Sequence, residues 1–147
     1  MRQLEGKVAV ITGAGSGIAR ATAKKFAEHG AHVVIAEINK PLGKEISDEL
    51  GSSALFVETD VTDEKSVENA MAVTADTFGK IDILHNCAGG SVLEDKTITD
   101  VDFEVWDRTI PLDLKGPMIC CRYGIPYLKL AGGGSIINMS SVVALRG

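Results

Sequence analysis

The feature that most constrains this chain is a glycine-rich turn between an apolar run and a helical pattern. Residues 8–11 are apolar and mostly β-branched, which is typical of a buried strand. Glycines follow at positions 13, 15 and 17, and a helical pattern then opens, with one face predicted to carry Ile18, Ala21, Thr22 and Phe26. Glycine lets the backbone pass close to an anion, which the free N–H groups of a helix start attract. The order of strand, glycine turn and helix therefore predicts a nucleotide-binding loop.

An acidic residue ends the next predicted strand, residues 32–36. Glu37 follows Gly17 at about the spacing where dinucleotide-binding folds place the acid that bonds the adenosine ribose. A carboxylate there accepts from both ribose hydroxyls and repels a 2′-phosphate, by roughly 4 kcal/mol per unit charge at ~4 Å and an effective dielectric of ~20. Positions 16, 38 and 39 are not basic, so we expect NAD(H) and not NADP(H) as the cofactor. Taken alone, Glu37 also fits a solvated acid at a strand end.

Strand and helix patterns alternate along the whole chain. Further helices are predicted at residues 40–50, 63–78 and, with an interruption, 102 to about 130. Further strands are predicted at residues 55–59, 81–85 and 135–138. Such alternation builds a parallel sheet with right-handed crossovers. We expect a single Rossmann-type α/β domain over residues 1–147, with strand order 3-2-1-4-5 and a ligand at the switch point between strands 1 and 4.

Composition argues against several classes of function. The 147 residues carry a net charge of -5 and no basic stripe, so a nucleic-acid partner is not expected. No run reaches transmembrane length, and the first residues are too polar for a signal peptide, so we expect no membrane partner and a cytoplasmic location. Cysteines 87, 120 and 121 lack metal-ligand spacing and are predicted to be buried, reduced thiols.

Four motifs carry a resemblance to a known family. They are Thr12-Gly13 with Gly17-Ile18, the pair Asp60-Val61, the turn Asn86-Cys87-Ala88-Gly89, and residues 138–141, NMSS. In this order and spacing the chain resembles the classical short-chain dehydrogenase/reductase family along its whole length. Ala19 stands where the family motif has its last glycine, and Cys87 where the family turn has its second asparagine.

The resemblance implies a nicotinamide cofactor and hydride transfer to or from a small alcohol or ketone. It implies that the glycine loop, the acid after strand 2, the adenine pair and the asparagine turn hold the cofactor, which gives Thr12, Gly13, Gly15, Ser16, Gly17, Ile18, Glu37, Asp60, Val61, Asn86, Ala88 and Gly89. Thr12 would tie the two turns together. Ser141 matches the catalytic serine that holds the substrate oxygen, and Asp113 falls where the family has the asparagine of a water relay. An acid cannot donate as an amide does.

The family's Tyr-x-x-x-Lys pair does not occur in this sequence. Tyr123 and Tyr127 precede the serine and are interpreted as helix-packing residues. We therefore expect the fold to be truncated after the fifth strand, residues 1–147 to be inactive alone, and the bare sheet edge and long helix to drive homo-oligomer formation. One alternative is a catalytically dead nucleotide-binding or scaffold module. Another, an S-adenosylmethionine-dependent methyltransferase, shares the glycine loop and the acid but not the Asn86 turn or the 138–141 pattern.

Overall fold

The computed structural model describes residues 2–146 and contains one parallel sheet. Its five strands lie in the order β3-β2-β1-β4-β5, as predicted. The strands are β1 (Val8–Thr12), β2 (His32–Glu37), β3 (Ala54–Glu58), β4 (Ile83–Asn86) and β5 (Ser135–Asn138). Every neighbouring pair is parallel. Because β1 lies between β2 and β4, consecutive connections leave it in opposite directions, and this creates the switch point.

Helices connect the strands. They are α1 (Gly17–Glu28), α2 (Lys40–Leu50), α3 (Glu64–Phe78), α4 (Phe103–Ile110), α5 (Gly116–Leu130) and the short α6 (Val143–Arg146). A 3₁₀ turn, Gly51–Ser53, precedes β3, and a π-helical turn, Pro111–Lys115, joins α4 to α5. The predicted interruption of the long helix is therefore a π-helical turn that begins at a proline.

Alternate residues of the central strands pack into two hydrophobic cores, one on each face of the sheet. Val10 and Val34 pack with residues of α3 and α5, whereas Ile11 and Ile35 pack with residues of α1 and α2. All five residues of β1 are buried. A strand covered on both faces reads as a continuous apolar run, which is why residues 8–11 predict it.

The face of α1 differs from the sequence prediction. Ala19 and Ala23 are its buried residues, while Ile18 is 63% exposed and Ala21 is exposed. The packing face of α1 carries Ala19, Ala23 and the partly buried Phe26, whereas Ile18 lies at the exposed start of the helix. The prediction that Ile18 and Ala21 share the packing face was therefore wrong.

A buried carboxylate joins β1 to the start of β4 at the amino-terminal edge of the sheet. Asp82 accepts a hydrogen bond from Val8 N–H at 2.9 Å and pairs with Lys7 at 3.2 Å and Lys80 at 3.0 Å. Burial raises the pKa of Asp82, but the Val8 N–H and the two ammonium groups lower it below its ordinary value. The Asp82 carboxylate therefore holds the starts of β1 and β4 together, at the edge of the sheet opposite the carboxyl ends of the strands.

The fifth strand is the least covered. All four of its residues are exposed, including Ile136 at 38% and Ile137 at 39%, although their side chains point to opposite faces.

Candidate functional site

A cleft of about 520 Å³ opens at the carboxyl edge of the sheet, beside the switch point. It is lined by Gly13, Ser16, Gly17, Ile18, Ala19, Glu37, Ile38, Thr59, Asp60, Val61, Cys87, Ala88, Gly89 and Leu112. The structure thus brings together every residue predicted to hold a cofactor except Thr12, Gly15 and Asn86. These three residues are buried. Leu112 lies in the π-helical turn far along the chain from the glycine loop, and no sequence motif predicted it in the cleft.

Three glycines shape the loop between β1 and α1 for different reasons. Gly13 and Gly17 have φ values of +69° and +54°, a region that side chains other than glycine rarely adopt. A β-carbon at Gly13 would also lie 2.9 Å from the Cα atom of Ala88. Gly15 has no positive φ, but a β-carbon there would lie 2.8 Å from Leu42 Cβ. The loop therefore fits tightly between the asparagine turn and α2.

Glu37 braces this loop. Its side chain lines the cleft although the residue is only 8% exposed. One carboxylate oxygen, Oε2, accepts from Gly15 N–H and the other, Oε1, accepts from Asn39 N–H, both at 2.9 Å. A carboxylate has about four acceptor positions, so acceptor capacity remains for a ligand. The sequence indicated the acid but not its bond to the loop.

Thr12 joins the loop to the turn that follows β4. Its hydroxyl oxygen accepts from the N–H groups of Cys87 and Ala88, both at 3.0 Å, and the hydroxyl donates to His85 O at 3.5 Å. Thr12 is buried, so these bonds hold the turn that forms one wall of the cleft.

Two asparagine side chains bridge the ends of β4 and β5. Asn86 Nδ2 donates to Asn138 Oδ1 at 2.7 Å and also to Cys121 Sγ at 3.4 Å. Among the described residues, no group bonds the buried Oδ1 atom of Asn86. The first residues of the asparagine turn and of the 138–141 motif thus meet directly. Their separation in sequence gave no local signal of this contact.

The pair Asp60-Val61, which follows β3, also lines the cleft. Asp60 Oδ1 accepts from both N–H and Oγ1–H of Thr62, at 2.8 Å and 2.7 Å, which orders the turn before α3. Val61 is buried, and a β-carbon at Gly116 would lie 3.1 Å from its Cγ2 atom. The start of α5 therefore packs closely on this pair.

Ser141 and Asp113, the two residues predicted to be catalytic, each bond a backbone N–H group. Within residues 2–146, neither Ser141 nor Asp113 lines the cleft. Ser141 is exposed, and its Oγ atom accepts from Val143 N–H at 3.2 Å at the start of α6. Asp113 lies in the π-helical turn and accepts from Gly90 N–H at 3.1 Å. The structure therefore gives each side chain a backbone partner and does not join them in one constellation.

Burial shifts the pKa values of two thiols, Cys87 and Cys120, and of His85. It raises the pKa of Cys87, and it raises the pKa of Cys120 to about 12, with the neighbouring Cys121 adding to the effect. All three cysteines are free; Cys120 is buried, and the other two are half-buried. Burial also lowers the pKa of His85, which favours its neutral form.

The tyrosines of α5 serve packing. Tyr123 and Tyr127 both lie against the core on the α3 side of the sheet, as predicted. Tyr123 also donates a hydrogen bond to Glu64 Oε2 at 3.2 Å. Burial and, to a smaller extent, this carboxylate raise the pKa of Tyr123. Neither tyrosine is among the residues that line the cleft.

The sheet order and the glycine turn after β1 define a Rossmann-type α/β protein. The chain belongs to the short chain dehydrogenase family, whose model matches residues 7–147. Over residues 2–146, no helix has the length and apolar character needed to cross a bilayer.

Named relatives cover almost all of the chain. It is 45% identical to a Thermotoga maritima protein described as an uncharacterized oxidoreductase, over 97% of this chain and 56% of that protein. It is 38% identical to a 2,5-dichloro-2,5-cyclohexadiene-1,4-diol dehydrogenase of Sphingobium indicum, over 97% and 58% of the two chains. It is 37% identical to a secoisolariciresinol dehydrogenase of Forsythia intermedia, over 99% and 53%. The chain spans about half the length of these curated relatives.

Proposed function

We propose that this chain binds NAD(H) in the cleft and serves an oxidoreductase acting on a small alcohol or ketone. The observation that carries the proposal is the placement of Glu37, a buried carboxylate that lines the cleft beside the glycine loop. When bound, the nicotinamide supplies the hydride donor or acceptor. The residues of this chain bind that cofactor and orient it.

The cleft fits the parts of a dinucleotide. Within residues 2–146, Ser16, the residue before α1, makes no side-chain capping bond, which leaves the first N–H groups of the helix accessible to a pyrophosphate. Gly13 and Gly17 line the cleft there without side chains that would block approach. Further along, Val61 and Leu112 offer apolar surface for an adenine ring. Glu37 lies where it can accept bonds from ribose hydroxyls.

The charge of the cleft supports NAD(H) over NADP(H). Its described lining holds two acids, Glu37 and Asp60, and no basic residue. Lys40 follows closely in sequence, but its ammonium group pairs with Glu58 at 3.5 Å and is not part of the lining. A 2′-phosphate would therefore meet negative charge without a cation to offset it.

The remaining roles follow from the resemblance. We treat residues 1–147 as one nucleotide-binding domain and propose that the oxidoreductase works in the cytoplasm. Ser141 is proposed to hold the substrate oxygen. A nucleotide-binding module without turnover is the second candidate, favoured by the position of Ser141, which is not among the described residues that line the cleft. Both candidates predict binding, and only the first predicts hydride transfer.

Self-association is part of the same proposal. Phe103 and Trp106 on α4 are 83% and 53% exposed, and Met118 on α5 is 55% exposed. Covering such surface stabilises by roughly 25 cal/mol per Å². We therefore expect a homo-oligomer through α4 and α5 or through the β5 edge. Light scattering that shows a stable monomer at micromolar concentration would contradict this expectation.

A charge placed at the mouth of the cleft tests the site. Ile18 lines the cleft and is 63% exposed, so Ile18→Glu should leave the core intact. At ~4 Å and an effective dielectric of ~20, repulsion of a pyrophosphate is worth roughly 4 kcal/mol per unit charge, so NADH should bind at least about tenfold more weakly. Ile98→Glu is the matched control, because Ile98 is 85% exposed and lies outside the lining. Fluorescence titration with NADH would contradict the proposal if both variants bind like the wild type.

A further inference from the structure

We propose that Gly43 and Phe56 are positioning residues for Glu37. Their contact sets how closely α2 approaches the end of β2, and the start of α2 in turn holds the Glu37 carboxylate. Neither residue lines the cleft within the described residues 2–146. The inference rests on the proposed function, in which Glu37 accepts bonds from the adenosine ribose and sets the preference for NAD(H).

Space, and not backbone conformation, explains the glycine at position 43. Gly43 is buried in α2 and does not have a positive φ. A β-carbon at this position would overlap the Phe56 ring and would lie 3.2 Å from Glu37 Cβ. Glycine weakens a helix interior relative to alanine, so its place in α2 is accounted for by the close approach of the helix to the sheet.

The register of β2 and β3 places Phe56 and Glu37 on one face of the sheet. Phe56 pairs with Ile35, and Glu37 follows Ile35 by two residues, so the three side chains point the same way. Phe56 is partly buried against the core that includes Ile35 and Ile46 of α2. The ring therefore lies between the sheet and α2, and Gly43 leaves the room that it needs.

The first turn of α2 links this contact to the carboxylate. Asn39 N–H donates to Glu37 Oε1 at 2.9 Å, and Asn39 Oδ1 accepts from Leu42 N–H at 3.2 Å, which caps the helix. A β-carbon at Gly15 would lie 2.8 Å from Leu42 Cβ, so Leu42 packs on the loop whose Gly15 N–H bonds Glu37 Oε2. An outward shift of α2 would therefore loosen both sides of the carboxylate.

The test is Gly43→Ala, followed by amide exchange and by cofactor affinity. The added methyl should push the first turn of α2 outward, and exchange at Asn39 N–H, measured by NMR on the protein without nucleotide, should accelerate about tenfold, the scale of one lost bond to a charged group. The dissociation constant for NADH should rise more than that for NADPH, because a displaced Glu37 both bonds the ribose less and repels a 2′-phosphate less. The preference for NADH over NADPH should fall about threefold or more.

Two further variants separate positioning from general destabilisation. Gly43→Ala combined with Phe56→Leu removes the overlap, since the methyl takes space that the ring leaves, and should return exchange and preference to within about threefold of the wild type. Gly124→Ala is the matched control. Gly124 is a buried glycine of α5 on the other face of the sheet, where a β-carbon would lie 2.9 Å from Leu84 Cδ2. Its replacement should lower the melting temperature without changing Asn39 exchange or cofactor preference.

Each outcome decides the proposal. Unchanged Asn39 exchange in Gly43→Ala, or an equal acceleration in Gly124→Ala, overturns the positioning role, and a double variant no closer to the wild type overturns the part of Phe56. Faster exchange with an unchanged preference overturns the link to the cofactor. If Gly43→Ala does not fold, Phe56→Leu alone decides, because it loosens the same contact and should also accelerate Asn39 exchange. If the wild type binds neither cofactor, the proposed function fails, but exchange still decides whether Gly43 and Phe56 position Glu37.

Discussion

Replacing Glu37 by glutamine should alter cofactor preference and loop stability together. In the wild type each carboxylate oxygen accepts one backbone N–H at 2.9 Å, from Gly15 and from Asn39. Glutamine keeps one carbonyl oxygen, and its amide N–H₂ must face the other backbone N–H as donor against donor. One bond to a charged group is lost, which is worth about 1.5–3 kcal/mol. We expect the free energy of unfolding of Glu37→Gln to fall by about 2 kcal/mol, measured in urea at pH 7.

The same substitution removes the charge that opposes a 2′-phosphate. The Coulomb energy of roughly 4 kcal/mol per unit charge is an upper scale, since salt and the two N–H groups reduce it. We expect the wild type to bind NADH about 100-fold or more tightly than NADPH. In Glu37→Gln this ratio of dissociation constants should fall below about tenfold, which corresponds to 1.4 kcal/mol. Isothermal calorimetry with both cofactors gives this ratio.

Two results would refute this reasoning. Equal affinity of the wild type for NADH and NADPH would remove Glu37 as the determinant of preference. An unchanged ratio in Glu37→Gln, together with the loss of stability, would confine Glu37 to a structural role. Glu68→Gln is the matched control, because Glu68 is exposed on α3 and outside the cleft lining. It should change neither the ratio nor the unfolding free energy.

Three further predictions concern stability. Asp82→Ala should destabilise by about 1.5–3 kcal/mol through the loss of the bond from Val8 N–H. Since the pKa of Asp82 is lowered from 3.8, its contribution to stability is present above pH 3.8 and is lost as the pH falls through the folded-state pKa. In Asp82→Asn the free energy of unfolding should therefore fall less steeply as the pH is lowered. Burial lowers the pKa of His85 from 6.5, so its contribution to stability is present above pH 6.5 and falls as the pH drops below that value. In His85→Val the free energy of unfolding in urea should therefore depend less on pH between pH 7.5 and 5.5. The same pH dependence as in the wild type would contradict this. Gly43→Ala should lower the melting temperature by several degrees, because a β-carbon there would overlap the Phe56 ring; a wild-type melt would show that the ring can move.

The order of elements and the place of the cleft follow from the sequence alone. Alternating strand and helix periods predict the parallel sheet, and the glycines at 13, 15 and 17 predict its anion-binding loop, because these signals depend on neighbours in sequence. Strand 5 was predicted with its observed bounds, Ser135–Asn138. The predicted start of the fourth strand at residue 81 was two residues early, since Asp82 instead bonds the start of β1 and pairs with lysines.

The contacts that give the cleft its shape were decided by tertiary structure. The bonds from Glu37 to Gly15, from Asn86 to Asn138 and from Gly90 to Asp113 join residues that share no local pattern. Each depends on how two elements approach and which rotamer a polar side chain adopts once its neighbours exclude water. Sequence can indicate that an acid stands at position 113. Only the tertiary structure, in which the π-helical turn lies beside the turn after β4, shows that this acid meets the backbone of Gly90.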